Sequence, residues 1–169
     1  MGESYWNQTG DPYQYAGSSV LKNIPNLKDA DALDVFEHRA TALRLDEAVE
    51  SAAGKPVSLA LWQYIHRTLF QDVYGWAGEI RSVQLAKGST VFAMPEHIET
   101  EAARIFKELA TDNLSDPGRL AFYFGELNVL HPFREGNGRT QKLLFDEVVR
   151  ALPCSICPIA PPWLEAHHT

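Results

Sequence analysis

The chain has 169 residues, which is enough for one domain and too few for two ordinary ones. Its 22 acidic and 15 basic side chains leave a net charge of −7, and 45% apolar residues are too many for a disordered chain. The acidic balance argues against a nucleic-acid binder that neutralises phosphates, and no apolar stretch approaches the about 20 residues of a membrane span. Because residues 1–6 lack the basic and apolar regions of a signal peptide, the sequence predicts a soluble, cytoplasmic protein.

The first half of the chain predicts an irregular arm followed by two helices. Residues 1–17 are polar and show no periodicity, so they are expected to form an irregular N-terminal arm. Apolar residues at helical spacing predict a helix over residues 29–52 and a second one that starts at the N-cap Ser58 and runs through Tyr74. Two glycines, Gly75 and Gly78, end the second helix.

A β-hairpin is predicted over residues 82–93. The segments 82–85 and 90–93 are rich in β-forming residues, and Gly88 lies in the connection between them. An isolated hairpin is only marginally stable in water, so this one should lie against a helical body.

Three helices and an irregular tail are predicted after the hairpin. Residues 98–109 are amphipathic, and a helix that is capped by Asp116 continues to about His131, where Pro132 ends it. Since that helix is apolar on almost every side, it is expected in the centre of the fold. A last helix covers residues 140–150. Four of the ten prolines follow it, which predicts an irregular tail over residues 151–169 with Cys154 and Cys157 as small apolar residues rather than a zinc or redox site.

Residues 131–139, with the sequence HPFREGNGR, combine the parts of a phosphate-transfer site. The first backbone amides of the following helix can bind an anion, and two glycines let a ligand approach them closely. Asn137 and Arg139 add donors, and the carboxylate of Glu135 suits a Mg²⁺ ion that also contacts phosphates. His131 lies where a base could take a proton from an attacking hydroxyl. Each part alone is common in ordinary turns and helix ends, but nine residues hold all of them.

This segment resembles the Fic-domain motif, H-x-F-x-[D/E]-G-N-G-R-x-x-R, and it matches every fixed position through Arg139. The resemblance also covers the hairpin, residues 69–78 before it, and residues 11–23, or about residues 11–164 in all. It implies an all-α fold, a Fic-type helical bundle with a short hairpin called the flap. It further implies one Fic domain over residues 1–169, with its catalytic loop and the start of the next helix at residues 131–142.

The resemblance implies an enzyme, a protein adenylyltransferase that transfers AMP from ATP to a hydroxyl side chain of a target protein. Its motif assigns a role to each matching residue. His131 would be the catalytic base, Phe133 the core anchor and Glu135 the Mg²⁺ ligand. The anion hole would consist of Gly136, Asn137 and Gly138, and Arg139 would contact the outer phosphates. Here Asn137 is expected on the α-phosphate. The flap would pair with an extended target segment through Lys87, Gly88, Ser89, Thr90, Val91 and Phe92; a hairpin without function is the other interpretation.

The sequence departs from the family pattern at Lys142, where the motif has its final arginine. Lysine keeps the charge but cannot fork onto the γ-phosphate, so we expect ATP to bind with an altered γ-phosphate orientation. The alternative, that Lys142 is a tolerated substitution on a helix face, is equally open. The Doc kinase branch lacks Gly-Asn-Gly-Arg, so Gly138 and Arg139 argue against that branch.

The inhibitory motif of many Fic proteins, [S/T]-x-x-x-E-[G/N], is missing, because the one glutamate followed by Gly or Asn is Glu135 itself. The resemblance therefore implies a bacterial toxin or effector that a separate small antitoxin inhibits, acting in the cytoplasm or after delivery to a host cell as part of a longer effector. Two alternatives stay open. One is a catalytically weak or silent Fic-fold binding module, and the other is transfer of another nucleotide or phosphodiester group.

Overall fold

The structure is a computed structural model that describes residues 10–152. The predictions for residues 1–9 of the arm and for residues 153–169 of the tail, including its two cysteines, lie outside the described residues. Within residues 10–152 five helices form the body: α1 Ala30–Ala52, α2 Leu59–Phe70, α3 Ile98–Thr111, α4 Pro117–Leu130 and α5 Asn137–Arg150. A 3₁₀ turn, Pro95–His97, leads into α3. The predicted all-α fold with a short hairpin is confirmed.

Local side-chain chemistry starts three of the helices. The side chains of Asp29, Ser58 and Asp116 each accept a hydrogen bond from a backbone N–H two or three residues further on, at 2.8, 3.1 and 2.8 Å. These bonds satisfy first-turn donors that have no partner inside the helix. Because such caps are local, the sequence was sufficient to place all three starts.

The central helix is α2, and the prediction that α4 lies at the centre is wrong. Trp62 and Ile65 of α2 are fully buried, and α2 packs against α1, α3 and α5. In α4, by contrast, Phe122, Phe124 and Val129 remain 45, 38 and 48% exposed. An all-round apolar composition shows that a helix can be buried, but it does not decide which of its faces the neighbouring helices cover.

Two helix boundaries differ from the prediction by three or more residues. Helix α2 ends at Phe70 rather than at Tyr74. Val73 and Tyr74 are buried like the apolar residues of the helix, but they lie in the turns that follow it. Helix α5 begins at Asn137 instead of residue 140, because Gly136 adopts the left-handed conformation (φ +80°) and lets the helix start immediately after it.

The flap is shorter than predicted. Strands β1, Ala86–Lys87, and β2, Thr90–Val91, are antiparallel with the register Ala86↔Val91 and Lys87↔Thr90, and Gly88 (φ +59°) is in their two-residue turn. The predicted strand over residues 82–85 does not form, because side chains bond the backbone of its first half. Tyr13 Oη accepts from the N–H of Ser82 at 3.1 Å, and only Leu85 keeps a backbone bond across the hairpin, from the N–H of Phe92 at 3.1 Å. The Arg81 guanidinium donates to the carbonyl of Val83 at 2.6 Å.

Candidate active site

A cavity of about 520 Å³ lies between the flap, the end of α4 and the start of α5. It brings together ten of the fourteen residues that the sequence singled out, with Asn128 as an additional wall residue: Lys87, Thr90, Phe92, His131, Glu135, Gly136, Asn137, Gly138, Arg139 and Lys142. Three of the others, Gly88, Ser89 and Val91, are exposed on the flap, and Phe133 is fully buried beneath the loop.

His131 caps the C-terminus of α4 in a left-handed conformation (φ +44°) and is 8% exposed. Its Nδ1 lies 3.3 Å from the carbonyl oxygen of Asn128. A carbonyl can only accept, so this contact assigns the proton to Nδ1 and leaves the lone pair on Nε2. The ring also stacks on Phe92, with 3.8 Å between ring centroids and a 15° angle between planes. Phe92 is therefore turned inward on His131 and differs in this from the exposed flap residues.

Asn137 closes the loop instead of pointing its amide into the cavity. Its Oδ1 accepts from the backbone N–H of Phe133 at 2.9 Å, and its Nδ2 donates to the carbonyl of the same residue at 2.7 Å. Phe133 is anchored in the core, where its ring stacks on His66 at 4.0 Å and meets Trp62 edge-on at 5.7 Å. The sequence predicted a side-chain contact between Asn137 and the α-phosphate. Such a contact would have to use the second hydrogen on Nδ2, because the first is donated to Phe133.

The N-terminus of α5 points its first backbone amides at the cavity. The N–H groups of residues 137–139 belong to the first turn, where a helix offers no acceptor, and the helix dipole adds positive potential there. Gly136 brings the backbone close to the core, because a Cβ at this position would overlap the ring of Phe70. Backbone amides and a forced glycine therefore provide the anion-binding part of the site.

Glu135 provides the carboxylate of the cavity. Its Oε1 accepts from the backbone N–H of Gly136 at 2.8 Å, and its carbonyl oxygen lies 2.9 Å from Nε2 of His66. Within residues 10–152 there is no group of three or more His, Cys, Asp or Glu side chains that could hold a metal alone. A single carboxylate beside an anion site fits Mg²⁺, which is commonly held by one or two carboxylates together with phosphates.

Two cationic side chains of α5 line the cavity, and they differ in how firmly they are held. The Arg139 guanidinium lies 4.7 Å above the Phe70 ring and pairs with Glu37 of α1; Nη2 is also 3.9 Å from Oε1 of Glu135. Lys142 follows about one turn later, and its ammonium group is a point charge without the planar fork of a guanidinium. The guanidinium is thus fixed by α1, which the sequence analysis did not connect with the site.

Arg81 is a second residue that the sequence analysis missed. Only 2% of it is exposed, and its guanidinium donates to the carbonyls of His131 at 2.7 Å, of Ala93 at 2.6 Å and of Leu130 at 3.2 Å. It also holds Val83, so one buried side chain joins both ends of the flap to the C-terminus of α4. A cation at a helix C-terminus is favourable, but no local pattern around Arg81 indicates its burial.

His66 supports the loop from below. It is fully buried; Nδ1 accepts from the backbone N–H of Gly78 at 2.8 Å, so Nε2 donates to the carbonyl of Glu135. Burial lowers the pKa of His66 to about 3, so the ring is neutral near pH 7. The sequence shows His66 only as one more residue of an amphipathic helix.

The N-terminal arm reaches the loop through a buried ion pair. Asp11 Oδ2 accepts from Nε and Nη2 of Arg134 at 2.9 and 2.6 Å, and the two side chains are 3 and 0% exposed. Since Arg134 lies between Phe133 and Glu135, this pair ties the arm to the motif itself.

The family model described as "Fic/DOC family" matches residues 56–149. The chain is 40% identical over 153 residues to a "Probable protein adenylyltransferase y4lH" from Sinorhizobium fredii, with 86% of this chain and 78% of that protein covered. The chain belongs to the Fic/DOC family. The family membership that residues 131–139 predicted is therefore confirmed.

Further relatives extend the comparison. A "Probable protein adenylyltransferase Fic" from Escherichia coli K12 is 34% identical over 146 residues, with 82% of this chain and 72% of that protein covered. The crystal structure of the VirB-translocated effector BepC from Bartonella tribocorum with bound AMPPNP superposes with a TM-score of 0.68 at 25% identity, over 82% of this chain and 77% of that one. The two curated relatives thus carry the name of an AMP-transferring nucleotidyltransferase, the enzyme class that the motif implied.

A separate property concerns membranes. In the part of the chain that the structure describes, no helix is both long and apolar enough to cross a bilayer.

Proposed function

We propose that this protein transfers AMP from ATP to a hydroxyl side chain of a target protein. The observation that carries the proposal is the placement of His131, which lines the same cavity as the N-terminus of α5 and Arg139. A base, an anion site and a cation on one cavity suit nucleotidyl transfer. The relative with bound AMPPNP supports ATP as the nucleotide.

The nucleotide phosphates would lie along the N-terminus of α5. The backbone amides of Asn137 and Gly138 would bind the α-phosphate, since the amide of Gly136 donates to Glu135, and Asn137 would keep them in place through its two bonds to Phe133. Arg139 would meet the outer phosphates, and Lys142 would add charge near the γ-phosphate. Glu135 would hold Mg²⁺, which, when bound, neutralises phosphate charge and orients the α- and β-phosphates.

The chemical step follows from the assigned proton of His131. Nε2 takes the proton of the target hydroxyl while that oxygen attacks the α-phosphorus of ATP. A new oxygen–phosphorus bond forms, the bond between the α-phosphorus and the bridging oxygen breaks, and pyrophosphate leaves. Asn128 stabilises the protonated ring through its carbonyl oxygen, and Phe92 keeps the ring in the cavity wall.

The target segment would add to the flap as a further strand. In this register Lys87 and Thr90 form the hydrogen-bonded pair next to the turn, so the backbone groups of Ala86 and Val91 point outward. Ala86 is 2% exposed and Val91 is 60% exposed, which favours pairing along β2. The exposed residues Gly88 and Ser89 would lie beside the bound segment.

The remaining expectations stay predictions. They are a single Fic domain over residues 1–169, a small antitoxin that supplies an inhibitory helix, and action in the bacterial cytoplasm or in a host cell; BepC is a translocated effector by its own name. A silent binding module and transfer of another phosphodiester group are the competing functions.

His131→Ala tests the proposal. We expect the variant to bind ATP like the wild type and to lose about 10²-fold or more of its labelling of proteins in a bacterial lysate with labelled ATP and Mg²⁺. His38→Ala is the matched control, since His38 is exposed on α1 and pairs with Asp34. Undiminished labelling by His131→Ala would remove His131 from the role of base, and a wild type that labels nothing would favour the binding module.

A further inference from the structure

Glu37 lies at the centre of a small polar chain that joins α1 to the active-site helix. One of its carboxylate oxygens accepts from Nη2 of Arg139 and the other accepts from the hydroxyl of Tyr74. Glu37 is 7% exposed, so both bonds are shielded from water. Thr41, one turn further along α1, lies 3.5 Å from Nη1 of Arg139.

Tyr74 supports this arrangement from the core. It is 2% exposed, and its ring stacks on Trp76 at 4.3 Å and on Phe70 at 5.9 Å. Burial, together with the nearby charge of Glu37, raises the pKa of the Tyr74 hydroxyl well above its usual value. The hydroxyl therefore stays protonated and donates permanently to Glu37.

The Arg139 guanidinium can contact a ligand while it remains bonded to Glu37. If the Arg139 guanidinium broke its bond to Glu37 in order to contact the phosphates, the nearly buried Glu37 carboxylate would lose its cationic partner, which is strongly unfavourable. It does not have to leave, because arginine has five N–H donors and Glu37 and Thr41 lie next to only some of them. The Phe70 ring beneath the guanidinium restricts its tilt as well.

We propose that Glu37 is a positioning residue for nucleotide recognition, which fixes the Arg139 guanidinium at the cavity wall so that its remaining N–H groups meet the outer phosphates of ATP. This proposal rests on the proposed function, which gives those phosphates to Arg139. It also bears on Lys142, which stands where the motif has its final arginine. Arg139 carries the one guanidinium among the residues that line the cavity. Because the ammonium group of Lys142 cannot bind phosphates bidentately, the orientation of Arg139 decides how the outer phosphates are placed.

The first test compares nucleotides with and without outer phosphates. Glu37→Gln keeps the side-chain shape and removes the charge, whereas Tyr74→Phe keeps the ring and removes the donor to Glu37. We expect Glu37→Gln to weaken ATP and ADP binding about tenfold in calorimetry and to leave AMP binding within about twofold, with a smaller loss for Tyr74→Phe. Glu47→Gln is the matched control, because Glu47 is on the same helix but pairs with Arg44 at the surface. An equal loss for AMP would overturn the proposal, since damage to the fold would weaken all three nucleotides.

A double-mutant cycle tests whether Glu37 acts through Arg139. If it does, Glu37→Gln adds little to the loss of ATP affinity that Arg139→Ala causes alone. Losses that multiply would contradict the proposal, because Glu37 would then act independently of Arg139.

A ligand-free measurement separates this proposal from the proposed function. The NMR signal of the Arg139 Nε–H should be well resolved in the wild type and should broaden or exchange faster with water in Glu37→Gln, but not in Glu47→Gln. An unchanged signal in Glu37→Gln would overturn the positioning role. Failure of the wild type to bind ATP would overturn the proposed function, and the NMR comparison would still decide whether Glu37 orders Arg139.

Discussion

Gly136 shows how a single position of the motif combines two physical demands. Its φ of +80° belongs to the left-handed region, and a Cβ would also overlap the Phe70 ring. Gly138, two residues later, has open space around an added Cβ and lies in the first turn of α5. The backbone conformation and the core packing therefore require a glycine at position 136, whereas neither requires one at position 138.

Gly136→Ala should destabilise the fold by about 2–5 kcal/mol, because left-handed strain and a clash with a core ring add together. Gly138→Ala should remain within about 1 kcal/mol of the wild type, since alanine suits a helix and meets nothing. Denaturant unfolding of the two variants checks this difference. Equal stabilities would show that the loop relaxes around the added methyl group.

His66 gives the stability of the protein a defined pH dependence. Its pKa is about 3 in the folded state against an ordinary 6.5, so below pH 6.5 the unfolded chain takes up a proton that the folded chain refuses. This contribution is fully present above pH 6.5 and is lost progressively as the pH falls toward 3.

Between pH 6.5 and 5 the free energy of unfolding should fall by about 2 kcal/mol through this residue. The slope of the unfolding free energy against pH should be reduced in His66→Gln. It should be kept in His38→Gln, because His38 is exposed on α1. NMR titration gives the direct check: a His66 ring that becomes charged near pH 6.5 while the protein stays folded would contradict the assignment.

At the scale of elements, the flap edge carries the docking proposal. Val91→Pro removes the outward N–H of β2 without touching the hydrogen-bonded pair Lys87–Thr90. We expect it to reduce labelling of target protein about tenfold or more at unchanged ATP affinity, whereas Val91→Thr keeps the N–H and should label within a few-fold of the wild type. Full labelling by Val91→Pro would exclude backbone pairing at this edge.

The elements also show which features a single sequence can reveal. The caps at Ser58 and Asp116 act over two or three residues, and the motif is contained in nine, so both could be predicted. Glu37 and Arg139 are 102 residues apart, and nothing local marks them as partners.

The same limit applies to other long-range contacts. Asp11 and Arg134 are separated by 123 residues, and the burial of Arg81 depends on four carbonyls that only the folded chain assembles. For the same reason the sequence placed α4 at the centre, because the choice of the covered face depends on how α2 packs.

At the scale of the whole molecule, a net charge of −7 coexists with a cationic cavity. Lys87, Arg139 and Lys142 line it together with the amides of α5, and Glu135 is the acidic residue among its walls. The net charge argues against a nucleic-acid platform, whereas the cations and amides of the cavity suit a nucleotide phosphate chain. Local placement rather than total charge accounts for the proposed chemistry.

The position of the transferred label tests AMP transfer most directly. Purified protein with Mg²⁺ and a bacterial lysate would be given ATP labelled on the α-phosphate in one reaction and on the γ-phosphate in the other, with His131→Ala in parallel. If the protein transfers AMP, we expect protein-bound label from the α-phosphate alone, and its loss in His131→Ala. Protein-bound label from the γ-phosphate would mean phosphate transfer and would contradict AMP transfer by this protein.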